Sequence, residues 1–145
     1  MKELDRFSYA CGVIDAFNEV VRAGVKRMAL AHPCPSREER DSYLPFAEKI
    51  CSQYGTRCYA EDEPLLTDLF PVTLNRGTYN LIFYKNESDL EEYLALKAQK
   101  ARLCAAGAYR DEARREIAEG FGRLLSYTDE AIGRLIEENK EKEII

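Results

Sequence analysis

The sequence contains no apolar stretch approaching the roughly 20 residues that a membrane-spanning helix requires. Residues 1–6 lead directly into an amphipathic segment, without the apolar core and small-residue cleavage site of a signal peptide. These two absences lead us to expect a cytoplasmic protein that has no membrane partner.

Cysteine pairs with C-x-x-C spacing are also missing. The five cysteines are odd in number and scattered, which argues against a disulfide framework and against a zinc ribbon. We predict reduced thiols that pack as small hydrophobic groups, and no metal site. G-x-G-x-x-G, G-x-x-x-x-G-K-[ST], G-x-S-x-G and H-E-x-x-H are absent as well, so the cofactor is unknown from the sequence.

Basic residues do not dominate the composition. The 21 Lys and Arg residues face 26 Asp and Glu residues, which gives a formal net charge of −5. A protein that binds nucleic acid normally presents a dominant basic face, so we expect no nucleic-acid partner.

The 145 residues are typical of a single domain, with an α/β part over 1–87 and a helical part over 88–145. Apolar residues at three- and four-residue steps predict a first helix over 4–23, ended by Gly24. Its apolar arc is wide, which indicates burial on more than one side. Residues 26–31 are interpreted as a buried strand; the alternative continues the first helix through Gly24.

The middle of the chain alternates helical and extended patterns. Ser36 begins a capping box, so a helix starts near residue 37, and Pro45 either kinks it or starts a new helix. A second strand is predicted over 56–60. Residues 65–70 form either one helical turn or an extended segment. The strongest strand pattern is aromatic and β-branched, over 79–84.

The last part of the chain has only helical patterns, over about 89–105, 110–125 and 129–141. A second capping box begins at Ser88, Thr128 is expected to cap the last helix, and the charge run 137–142 is expected to fray. These helices either cover the sheet or stand apart and pack on a partner. The element order predicts an α/β fold: a small three-stranded, mostly parallel Rossmann-like sheet with an N-terminal helix and an all-helical C-terminal segment.

Parallel strands would bring the loops at 32–36, 61–64 and 85–88 to one edge of the sheet, where ligands bind in open α/β folds. We predict a site there for a small anionic ligand. The predicted ligand-binding residues come from these loops and from the first helix, where Asn18 either ties the helix to a strand end or lines a pocket with Asp15. They are Asp15, Asn18, Ser36, Arg37, Lys85 and Asn86.

His32 is the only histidine, and therefore the first candidate for acid–base chemistry near neutral pH. Asp62 or Asp68 would be its partner. Each has a structural alternative: His32 as a hydrogen-bonded strand end, Asp62 as part of a solvated acidic turn, and Asp68 as a local turn cap.

Three functions follow from these patterns. The leading hypothesis is a domain that binds a small anionic ligand at the strand ends. The second is a small enzyme that uses His32 in the same crevice. The third is an interaction module or homo-oligomer that acts through its C-terminal helices.

Overall fold

Residues 2–145, which the computed structural model describes, form seven helices and three strands. The strands are β1 (Met28–Leu30), β2 (Arg57–Glu61) and β3 (Asn80–Tyr84). The helices are α1 (Arg6–Arg22), α2 (Arg37–Ser42), α3 (Leu44–Tyr54), α4 (Val72–Asn75), α5 (Glu87–Ala105), α6 (Asp111–Leu124) and α7 (Asp129–Glu138). Within residues 2–145, no helix is long and apolar enough to cross a membrane.

The sheet is antiparallel, so the prediction of a mostly parallel, Rossmann-like sheet was wrong. The strand order is β1-β3-β2, and β3 runs opposite to both neighbours. A parallel link from β2 to β3 would need a crossover, usually a helix. Residues 62–79 supply only α4, a helix of four residues, so β3 turns back beside β2.

Most local signals hold, and the open alternatives are settled. Residues 28–30 form a strand, because α1 ends at Arg22 and Gly24 adopts a φ of 81°. Pro45 lies in the first turn of a new helix, α3, where its missing N–H costs nothing. Residues 65–70 form no helix and run as an extended segment with a turn.

Side chains also define the helix starts. The Ser36 hydroxyl accepts a hydrogen bond from the Glu39 amide at 3.1 Å, and Thr128 caps α7 in the same way through Ala131. The capping box at Ser88 was wrong, since α5 already begins at Glu87.

Helices cover both faces of the sheet. Leu81 and Phe83 of β3 pack against α1 and α3, with Ile14, Ala47 and Ile50. The alternate side chains of β3 face the other way, as strand geometry requires, and join the helices after residue 86. The main members of that second cluster are Ile82, Tyr84, Tyr93, Phe121, Leu124 and Ile132. The C-terminal helices therefore cover the sheet, and their apolar faces are buried within the chain.

The segment after α7 is ordered, so the predicted fraying was wrong. Asn139 is buried and donates a hydrogen bond to the Asp68 carbonyl at 3.0 Å. The Val72 amide donates to the Glu141 carbonyl, also at 3.0 Å. This tail therefore packs against α4 and the segment that precedes it.

Candidate functional site

The carboxyl end of β1 contains a β-bulge. Leu30 pairs with Ile82, but the next bridge joins Cys34 to Tyr79, so two residues, His32 and Pro33, stand opposite Asn80. Proline cannot donate a hydrogen bond to a sheet, and bulges are the usual place for it. The bulge turns the chain away from the sheet and into α2.

A cavity of about 280 Å³ lies between this bulge, α1 and α2. Most of its wall is apolar, from Ala10, Val13 and Ile14 on α1 and from Pro33 and Pro35 beyond β1. The wide apolar arc of α1 explains this wall, since one part of the arc meets the sheet and another part meets the cavity. Tyr43 also lines the cavity, and Phe7 stacks on its ring at a centroid distance of 5.3 Å.

Arg40 forms the polar floor of the cavity. Its side chain is only 4% exposed, and its guanidinium donates to the carbonyls of Glu61 and Asn80 at 3.0 and 3.2 Å. It also donates to Asp41 and Asp62, each at 2.7 Å. Because a buried guanidinium must be paired, these contacts explain its position, and they hold α2 on the ends of β2 and β3. Arg40 therefore has a structural role.

Asp62 is held in its ionised form by two arginines. The hydrogen bond from Arg40 lowers the pKa of Asp62 below its usual range, and Arg37, 3.4 Å away, acts in the same direction. A carboxyl with a lowered pKa is a poor proton donor near neutral pH. Arg37 and Asp62 are therefore neighbours, as the sequence predicted, but they form an ion pair with each other.

His32 and Cys34 do not form a nucleophile and base. The Cys34 thiol donates to the backbone carbonyl of His32 at 3.6 Å, and not to the imidazole. Burial raises the pKa of Cys34 above that of a free thiol, which disfavours the reactive thiolate. Within residues 2–145, no hydrogen bond joins His32 to Asp62 or Asp68.

Lys85 and Asn86 lie away from the other predicted ligand-binding residues. They follow β3, which runs opposite to β1 and β2, so they are at the other end of the sheet from Ser36 and Arg37. The expectation that all three loops share one edge was wrong for this reason. Ser36 itself is occupied as the cap of α2.

The remaining predicted residues hold elements together. Asp68 makes two hydrogen bonds of 2.8 Å with Arg114 of α6. Asn18 is fully buried, donates to the Ile14 carbonyl and accepts from Thr56 at 2.6 Å. Asp15 accepts from the Tyr54 hydroxyl at 2.6 Å. Asn18 therefore ties α1 to the start of β2.

Glu61 is a second buried charge at this end of the sheet. Its carboxylate accepts hydrogen bonds from the Tyr93 hydroxyl at 2.7 Å, from Lys97 at 2.8 Å and from the Glu63 amide at 2.9 Å. Burial, followed by this hydrogen bond, raises the pKa of Tyr93 far above its usual range. With three donors, Glu61 is a satisfied structural carboxylate.

A more open groove of about 590 Å³, whose mostly apolar wall also carries several charged side chains, begins where β2 ends. Its cations are Arg76, Lys97 and Lys100, and its carboxylates are Asp62 and Glu63. Within residues 2–145, no three His, Cys, Asp or Glu side chains are grouped in a way that could hold a metal ion.

Sequence reasoning missed Arg40, Tyr43 and the wall that α1 contributes. A signal for Arg40 existed: it lies one helical turn after the Ser36 cap, in a helix of six residues that must bury one side. Val13 widened the apolar arc of α1, but the arc alone does not say that one part of it faces a cavity.

Comparison with protein-family models, with curated proteins and with solved structures finds no match to this chain. The function is therefore argued from the geometry.

Proposed function

We propose that this chain is a binding protein for a small, mainly apolar molecule, held in the cavity between α1, the bulge and α2. The observation that carries the proposal is the cavity itself, whose volume is about 280 Å³ and whose wall is mostly apolar. Concave, mostly apolar pockets with a few polar groups are where proteins usually bind small ligands.

The charges around the cavity favour an apolar ligand over an anion. Arg40 is saturated by its own partners, and Arg6 at the rim lies 3.6 Å from Glu39. Lys85 is at the opposite end of the sheet. His32 is exposed at the rim and offers one hydrogen-bonding group. Among residues 2–145, each Lys or Arg in the cavity wall already has a carboxylate partner, which disfavours the anionic ligand predicted from the sequence.

The proposal is tested with n-hexanol and hexanoate, which share an apolar chain and differ in charge. Burying each CH₂ group contributes about 0.8 kcal/mol to the free energy of binding. We therefore expect weak but saturable binding with Kd in the millimolar range, which corresponds to a binding free energy of roughly 4 kcal/mol. Amide NMR shifts of Ala10, Val13 and Ala31 report binding, and hexanol is expected to bind at least as well as hexanoate.

Ala10→Phe fills the cavity and should abolish these shifts, whereas Ala16→Phe, at an exposed position of the same helix outside the cavity wall, should leave them intact. The proposal is wrong if neither probe gives saturable shifts at the cavity residues, or if Ala10→Phe binds as the unmodified chain does. Tighter binding of hexanoate than of hexanol would favour the hypothesis of an anionic ligand, with His32 as the candidate residue that contacts it.

A further inference from the structure

The tail after α7 carries a carboxylate into a cluster of cations. Glu143 Oε1 lies 2.7 Å from Lys100 Nζ, and its other oxygen lies 3.6 Å from Arg76. These two cations come from different parts of the chain, α5 and the turn after α4. The side chains of Glu143 and Lys100 are 15% and 13% exposed, so this contact is largely withdrawn from water.

The backbone around Glu143 is also held. The Arg114 guanidinium donates to the Glu143 carbonyl at 2.6 Å while pairing with Asp68. Lys100 donates a second hydrogen bond, to the Leu66 carbonyl at 2.7 Å, and lies over the Tyr109 ring at 5.2 Å from its centroid. Lys100 therefore has contacts besides Glu143 that position its ammonium group.

The same two cations form part of the wall of the open groove that begins where β2 ends. Lys97, the third cation there, is already neutralised by Glu61 at 2.8 Å. Of the two carboxylates in the wall, Asp62 is paired with Arg40, and within residues 2–145 the Glu63 side chain makes no ion pair with Arg76 or Lys100. Arg76 and Lys100 therefore differ from Lys97: their carboxylate partner, Glu143, belongs to the tail and not to the wall of the groove.

We propose that Lys100 and Arg76 form a binding site for a small oxyanion, a carboxylate or a phosphate, and that the Glu143 carboxylate is its internal occupant. A carboxylate has the charge and the paired oxygens of such a ligand, and charge-assisted hydrogen bonds give the site its preference. Because Glu143 is tethered, its effective concentration is millimolar or higher, so an external anion competes against it. This site is separate from the apolar cavity and does not depend on it.

The experiment titrates inorganic phosphate and succinate, at constant ionic strength, into the unmodified chain and into Glu143→Gln. Glu143→Gln keeps the shape of the side chain but removes its charge, and should bind one or both anions at least tenfold more tightly. Isothermal calorimetry measures the affinity, and the anion that gains identifies the chemistry as phosphate, carboxylate or both.

Two further variants make the result decisive. Glu141→Gln changes a carboxylate in the same tail that contacts Thr73, and should bind as the unmodified chain does. Lys100→Gln combined with Glu143→Gln should lose the gained affinity. The inference is overturned if Glu143→Gln binds neither anion more tightly, if Glu141→Gln gains equally, or if the double variant retains the gain. Hydrogen exchange of the Val72 amide, which bonds to Glu141, shows whether the tail stays docked.

Discussion

The face of the sheet that meets α5 and α6 is filled by large side chains, whereas the face that meets α1 keeps a cavity of about 280 Å³. On the filled face, the rings of Tyr93 and Phe121 lie 6.1 Å apart, and Phe70 meets Phe121 edge to face at the same distance. The space beside Tyr93 and Phe121 is about 10 Å³, too little for a ligand, while Phe70 also lines a more open pocket of about 370 Å³ at the surface. We therefore expect the close-packed face to contribute more to stability than the face that contains the cavity.

Backbone spacing shows the same contrast. On α6, a methyl group at Gly122 would lie 2.5 Å from Ile132 of α7, so the two helices approach as closely as glycine allows. On α1, a methyl group at Gly12 would have no neighbour within 4 Å. The α6–α7 contact is therefore close-packed, and the exposed side of α1 is open.

The largest effect is expected from Phe121→Ala. Removing this fully buried ring should lower the free energy of unfolding by about 3–5 kcal/mol, because it leaves a cavity in a close-packed core. Val13→Ala, which only enlarges an existing cavity, should cost about 1 kcal/mol or less. Urea denaturation measures both, and equal losses would break the comparison between the two faces.

Gly122→Ala should also be destabilising, by about 1–3 kcal/mol, because Ile132 must shift to admit the added methyl group. The change adds a good helix former inside α6, so propensity alone predicts the opposite sign. Thermal unfolding decides between them, and a higher melting temperature would show that α6 and α7 are not closely packed.

Gly12→Ala should stabilise the protein by roughly 0.5–1 kcal/mol, since Gly12 lies mid-helix in α1 and the methyl group meets nothing. Urea denaturation of this variant, set against Gly122→Ala, gives a matched pair with opposite signs. A loss of stability would mean that the exposed side of α1 contacts something.

The smallest effect is expected from Asp62→Asn, and it depends on pH. The pKa of Asp62 is lowered below 3.8 in the folded state, so its ionised form adds stability above pH 3.8. That contribution is lost as the pH falls through the folded-state pKa. The difference in unfolding free energy between the unmodified chain and Asp62→Asn should therefore be present at pH 7 and vanish at low pH. A difference that persists unchanged in acid would show that the Arg40 contact does not act through charge.

Structural features that depend on a few neighbouring residues could be predicted from the sequence. Ser36, Gly24 and Thr128 mark helix ends because capping and a left-handed backbone depend on neighbouring residues only. The strand over residues 80–84 is apolar on both faces, and its pattern is correspondingly continuous.

The direction of the strands could not be predicted from the sequence, because it is set by pairing between distant segments. A strand buried on both faces is typical of parallel sheets, but here β3 has that pattern because helices cover both sides of an antiparallel sheet. Because the direction of β3 was predicted wrongly, Lys85 and Asn86 were assigned to the wrong end of the sheet. Arg40 was missed for a related reason, because its acceptors, Glu61 and Asn80, are 21 and 40 residues away.

The strand order has a consequence for how the protein is made. β1 and β2 flank β3 without touching each other, and β3 is the last of the three to be synthesised. Residues 28–30 and 57–61 therefore have no hydrogen-bonding strand until residue 84 has left the ribosome, and β1 must wait for a partner more than 50 residues later. Pairing over such separations is slow, and unpaired strands are prone to aggregate. Leu81 of the central strand lines the cavity beside α1, so this cavity is completed only late in synthesis, when the central strand closes the sheet.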